Sequence, residues 1–223
     1  MLPPRLLFPV LCLWATFVHA QTPCCGPPRT PEEALFRSIE NGDIEEFSRL
    51  VDAGVSVSAK NSLGETPLYF AAEKGEIEMA RRLIAKGADA KVLTPTGETV
   101  LHAAAMIEST TLMRELIDAG ADVAAVNGDG ETALYWAALT GTFLAVKALA
   151  DAGADLNVQE ARLGNTALHA AVSHDDIVLI HYLLSRKVKT DIRNNQGLTA
   201  FELAQSRGRG SVKLFEPQDA PRP

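Results

Sequence analysis

The sequence predicts an all-α solenoid, in which helix-turn-helix units of about 33 residues are joined by β-hairpin-like loops and stacked in a row. Three landmarks carry that reading. A four-residue phrase recurs as Thr66-Pro67-Leu68-Tyr69, Thr99-Val100-Leu101-His102, Thr132-Ala133-Leu134-Tyr135, Thr166-Ala167-Leu168-His169 and Thr199-Ala200-Phe201-Glu202, its threonines 33, 33, 34 and 33 residues apart. Gly87-Ala88-Asp89, Gly120-Ala121-Asp122 and Gly153-Ala154-Asp155 keep the same step. A glycine stands two residues before each threonine, at Gly64, Gly97, Gly130, Gly164 and Gly197.

Before the repeats, residues 1–20 read as a signal peptide. Arg5 is the only charge there, Leu6 to Val18 is an apolar run of 13 residues, and Val18-His19-Ala20 offers small residues where a signal peptidase reads. The run is shorter than the roughly 20 residues that span a bilayer, so no transmembrane span is expected. Export to the periplasm, or beyond it to the outside, is the expected localisation. Residues 21–30 form a Pro- and Gly-rich tail that carries Cys24-Cys25, the only cysteines left after cleavage. A vicinal disulfide, a link to another chain and two idle thiols all fit that pair. A lipid anchor fits it poorly, because Thr22 and Pro23 are not the small residues that precede a lipidated cysteine. The chain has no Asn-x-Ser/Thr sequon, which favours a bacterial envelope over a eukaryotic secretory route.

Six units follow. Residues 31–60 are an N-terminal cap, with Glu32 and Glu33 suited to the positive end of its first helix. Full units cover 61–93, 94–126, 127–159 and 160–193. A C-terminal cap covers 194–216, and 217–223 is a tail. Each threonine is placed to cap the free N–H groups of a first helix, and Pro67 occupies the first helical position, where its missing N–H costs nothing. The pairs Ala71-Ala72, Ala104-Ala105 and Ala137-Ala138 are small enough for neighbouring helices to pack closely. Second helices supply the core through Ile44, Phe47, Leu50 and Val51; Ile77, Ala80, Leu83 and Ile84; Phe143, Val146, Leu149 and Ala150; and Ile177, Ile180, Leu183 and Leu184. The glycine of each Gly-Ala-Asp closes the second helix in a left-handed conformation. Four departures stand out. Val100 replaces the proline, Ser109 replaces the glycine between the helices (Gly75, Gly141), an extra residue falls near Glu160-Ala161-Arg162, and Lys187 takes a glycine's place.

Over roughly residues 28 to 216 this pattern resembles the ankyrin repeat, a turn, two antiparallel helices and an outward hairpin. The resemblance implies an ankyrin-repeat solenoid of about six repeats including two caps, used to bind other proteins. It implies that His102 and His169 hydrogen-bond neighbouring turns. It also implies a concave binding surface built from the hairpin tips and the exposed side of each first helix.

Chemistry of other kinds finds little footing. Lys+Arg 21 against Asp+Glu 28 gives a net charge of −7 with no basic face, which argues against nucleic acid. His174 and His181 lack metal-ligand spacing, and Asn127-Gly128-Asp129-Gly130-Glu131 breaks the calcium-loop pattern and reads as a hairpin tip. No phosphate loop, nucleophile elbow or paired-carboxylate motif occurs. The expectation is a non-enzyme with no catalytic residue, cofactor or metal.

The candidate protein-binding residues are Phe70, Met106, Ile107, Asp129, Glu131, Tyr135, Trp136, Leu139, Arg162 and Leu163. They combine apolar and aromatic side chains at the middle of the expected concave face with a polar rim. A half-buried place between repeats is the competing reading for Phe70 and Trp136. By likeness to exported bacterial ankyrin proteins, the expected partner is an envelope enzyme or toxin. A lipase or peptidoglycan hydrolase would be neutralised in an immunity role, and the alternative is an adaptor that supports an envelope enzyme without inhibiting it. A monomer is expected when the partner is absent.

Overall fold

The computed structural model describes Pro28, residues 30–208 and residues 210–215. The expected signal peptide, the Cys24-Cys25 pair and the final tail lie outside the described residues. Helices α1 (Pro31–Glu40) and α2 (Ile44–Asp52) form the N-terminal cap. The full units contribute α3 (Pro67–Lys74) with α4 (Ile77–Ala85), α5 (Val100–Ala104) with α6 (Thr110–Asp118), α7 (Ala133–Thr140) with α8 (Phe143–Asp151), and α9 (Ala167–Ser173) with α10 (Ile177–Ser185). The last unit holds α11 (Ala200–Ser206) and a closing 3-10 turn, Gly210–Phe215. First helices pack in one row from α1 through α3, α5, α7 and α9 to α11, and α4, α6 and α8 pack in a second. The principal contacts therefore pass between neighbours, as a stacked repeat requires.

Three of the five threonines cap their helices through the hydroxyl as expected, while Thr99 and Thr166 set theirs 2.9 Å from Nδ1 of His102 and His169. Thr66 Oγ1 accepts from Tyr69 N at 3.3 Å, Thr132 Oγ1 from Tyr135 N at 3.1 Å and Thr199 Oγ1 from Glu202 N at 3.2 Å. Pro67 opens α3. The alanine pairs are fully buried between first helices. Gly87 closes α4 at φ 84° and Lys187 takes the same left-handed turn at φ 57°, a conformation that costs a side chain about 1–2 kcal/mol.

Two expectations need correction. Ile44 and Ile177 are 39% and 42% exposed, not core. The buried stripe of the second helices is centred on their third, fourth and seventh positions, as at Met79, Ala80 and Leu83. At 100° per residue the first position lies more than a quarter-turn from that centre. Secondly, Ser109 does not replace the inter-helix glycine. It caps α6, its Oγ accepting from Leu112 N at 3.3 Å. The place held by Gly75 (φ 75°) and Gly141 (φ 74°) falls to Glu108, which does not take a left-handed conformation. A side chain resists that conformation. The chain instead leaves the helix early, so α5 has five residues and Met106 and Ile107 lie on the connecting turn beyond it.

Candidate functional site

Each hairpin finger is held at its root by one side chain with acceptor oxygens. Asn61 Oδ1 accepts from the N–H groups of Leu63 and Glu65, Thr94 Oγ1 from Glu98, Asn127 Oδ1 from Asp129 and Glu131, and Asn194 Oδ1 from Gln196 and Leu198. The fourth finger uses Glu160, only 4% exposed. Its carboxylate accepts from Arg162 N at 2.8 Å, Leu163 N at 2.8 Å and Asn165 N at 2.9 Å. This finger is closed by Glu160 N to Asn165 O, whereas Asn127 N bonds Glu131 O, one residue nearer. The longer carboxylate side chain spans the larger loop.

Backbone bonds also run from finger to finger: Gly128 N to Thr96 O, Ala161 N to Asp129 O and Asn195 N to Leu163 O, each 2.8 Å. Matching these bonds places the extra residue of the fourth unit at Arg162. The equivalent donor on the second finger would be residue 95, and Pro95 has no N–H. First and second fingers meet instead by contact, for a Cβ added to Gly64 would stand 2.6 Å from Pro95 Cγ.

Behind the fingers, Tyr69, His102 and His169, each the fourth residue of its phrase, tie one repeat to the next. His102 Nδ1 accepts from Thr99 N at 3.0 Å and its Nε2 lies 2.9 Å from the Glu131 carbonyl oxygen. His169 repeats this with Thr166 N at 3.3 Å and the Leu198 carbonyl at 3.1 Å. The carbonyl acceptor fixes the proton on Nε2, and burial holds both imidazoles below their ordinary range. Tyr69 Oη donates to Glu98 Oε2 at 2.7 Å. Burial, reinforced by Glu98, raises the Tyr69 phenol far above its usual range, and burial with Glu160 and Glu131 pushes Tyr135 up to about 12.

First helices and finger roots thus share one inner face, and the expected binding residues distribute unevenly over it. Asp129, Arg162 and Leu163 are exposed at finger tips. Tyr135 is buried, with 6% of its surface open. Phe70, Met106, Ile107, Glu131, Trp136 and Leu139 are half-buried, and of these Phe70, Ile107, Trp136 and Leu139 pack on the core. Phe70 meets Phe36 edge-on at 5.6 Å, with Lys74 Nζ 5.0 Å from its ring centre. Trp136 presents an edge contact to His102 at 5.4 Å, and its indole N–H donates to Glu131 Oε2 at 2.6 Å. Its half-buried place between repeats agrees with the competing reading of that residue.

More open apolar groups lie elsewhere: Leu63 at the first finger tip is 54% exposed, Leu93 and Val126, in the segments entering the second and third fingers, are 50% and 49% exposed, and Val178 on α10 is 64% exposed. Leu63 is signalled by its tip position; Leu93 and Val126 carry no such signal, because an apolar residue before a finger reads equally well as buried.

Next to His174 in sequence, Asp176 Oδ1 caps α10 by accepting from Leu179 N at 3.0 Å, and Asp175 Oδ1 accepts from Ser211 N at 3.2 Å, docking the closing turn. Among the described residues no three His, Cys, Asp or Glu side chains group as metal ligands, and no helix is long and apolar enough to cross a membrane.

Models of ankyrin repeats match the chain over residues 78–160, describing three copies, and over residues 50–104 and 143–184, each describing many copies. No curated protein matches it.

Proposed function

Because the chain belongs to the ankyrin-repeat family, we propose that its inner face grips another protein and, after export, restrains an envelope enzyme or toxin. Ankyrin repeats are protein-interaction modules, and the coarse reading follows from the family. The choice of face rests on Leu63 and Leu163, which stand 54% and 40% exposed at finger tips and serve no core. Trp136 and Met106 lie half-open on the same face, and a protein partner covers such apolar surface when it binds. The compartment rests on the apolar Leu6–Val18 run of the sequence, and the neutralising role, with a lipase or peptidoglycan hydrolase as the enzyme restrained, on likeness to exported bacterial ankyrin proteins.

Affinity capture from the native cell envelope tests the reading, with Leu63→Asp/Leu163→Asp as the parallel variant. These side chains are exposed, so the variant is expected to keep the parent's circular dichroism and melting profile. One partner captured by the parent and lost by the variant supports the inner face. Equal capture by both places binding elsewhere. Assaying the captured partner's activity with and without this chain then separates an inhibitor from an adaptor.

A further inference from the structure

Among the described residues, the ion pairs Glu46–Arg49, Glu78–Arg81, Arg81–Glu115, Asp52–Lys86 and Asp151–Arg186 lie on second helices or at their ends, and Arg193–Glu202 engages the first helix of the last unit. On the inner face, one glutamate recurs per repeat at Glu65, Glu98 and Glu131, and each carboxylate is held by neutral donors. Glu65 accepts from the Asn61 amide at 2.8 Å and Glu98 from the Tyr69 phenol at 2.7 Å. Glu131 accepts from the Trp136 indole at 2.6 Å and the Asn127 amide at 3.1 Å. Such donors orient a carboxylate without cancelling its charge. Glu98 and Glu131 are half-exposed, so a partner reaches them; Glu65 is buried.

We propose that the partner meets the second to fourth repeats with a basic, extended segment whose arginine or lysine side chains pair with Glu98 and Glu131. The proposal rests on the inner face being the binding face and adds the chemistry of what it binds. Folding has already taken part of the carboxylates' hydration, so an incoming cation recovers electrostatic energy at reduced desolvation cost. The carboxylates recur with the stack rather than converging on a point, which suits a chain and not a metal ion. Neighbouring helices lie about 8–10 Å apart, a step covered by about three residues of extended chain. Trp136, half-open beside Glu131, offers its ring to the same guanidinium.

The probe is a capped seven-residue peptide with arginine at its first, fourth and seventh positions and leucine and threonine between. It is titrated into the full chain carrying Trp14→Phe, in which Trp136 is the only tryptophan. Saturable change in Trp136 emission is expected. Glu98→Gln/Glu131→Gln keeps both acceptors and should weaken binding about tenfold, while Glu45→Gln/Glu78→Gln on the opposite side leaves it unchanged. Absence of saturable binding, or equal weakening by the two double variants, overturns the proposal. Should the inner-face pair unfold on melting analysis, Glu98→Gln alone decides by the same criterion. A native partner lost with Leu63→Asp/Leu163→Asp but held equally tightly by Glu98→Gln/Glu131→Gln sinks the basic segment and leaves the inner-face reading standing.

Discussion

Replacing Glu160 by alanine strips the fourth finger of the carboxylate that gathers its backbone N–H groups. Three backbone N–H groups, those of Arg162, Leu163 and Asn165, lose a charged acceptor at 2.8, 2.8 and 2.9 Å. Arg162 and Leu163 are exposed and can turn to water, so each costs about 0.5–1.5 kcal/mol, the net worth of an ordinary hydrogen bond. Asn165 is half-buried and its N–H forfeits a bond to a charged group, about 1.5–3 kcal/mol. Release of a buried carboxylate returns part of the sum, leaving a loss of about 3 kcal/mol. Glu160→Gln retains one acceptor oxygen and should lose about half as much. A repaired finger provides the control: Glu160→Asn with Arg162 deleted restores the length and the root residue of the third finger, and should unfold within about 1 kcal/mol of the parent. Urea unfolding followed by circular dichroism measures all three. An alanine variant within about 1 kcal/mol of the parent, or a repaired finger no more stable than the alanine variant, would refute this account of the loop.

Acid should loosen the stack at two joints. Burial lowers the folded pKa of His102 and His169, so between the unfolded value of about 6.5 and the folded values the unfolded chain binds more protons. Their contribution is therefore complete above about pH 7 and falls as the pH drops through 6.5. Urea midpoints at pH 8 and pH 5.5 should decline, and His102→Gln should shrink the decline; a rise would contradict the burial argument. Lys187→Gly relieves a left-handed turn and should stabilise by about 1 kcal/mol after the entropy of the freer unfolded chain is counted, read from the same unfolding curves. Asp175, at φ 55°, should behave oppositely: Asp175→Gly relieves its turn but drops the Ser211 contact, and hydrogen exchange in the closing turn should accelerate.

The periodic features were legible because each is dictated locally. A threonine that caps, a glycine that turns left and a paired alanine that admits a neighbour declare themselves by residue type. Lys187 was read correctly for the same reason. Features that depend on which neighbour is touched were less visible. Ile44 and Ile177 satisfy the apolar spacing yet lie on the flank of their helices, because spacing alone does not say where the stripe is centred. Ser109 and Glu108 differ by one position, and counting 33 residues on from Gly75 or back from Gly141 lands on Glu108. Met106 and Ile107 leave the helix because of Glu108, a residue that draws no notice by itself. The indole N–H of Trp136 needed the partner that Glu131 supplies across the root of a finger. Glu160 could have been identified by counting back one repeat to Asn127, another acceptor side chain in the same place.

Pro95 has a mechanical consequence. From the second finger to the fifth, backbone bonds couple each finger to the next, so a push on one is shared along the row as along a stiff comb. Between the first finger and the second, the ring of Pro95 offers contact and no bond. Load at Leu63 is carried by that finger alone and by the helices beneath it. The comb therefore has one compliant tooth, at the end where its most exposed leucine tip meets whatever approaches.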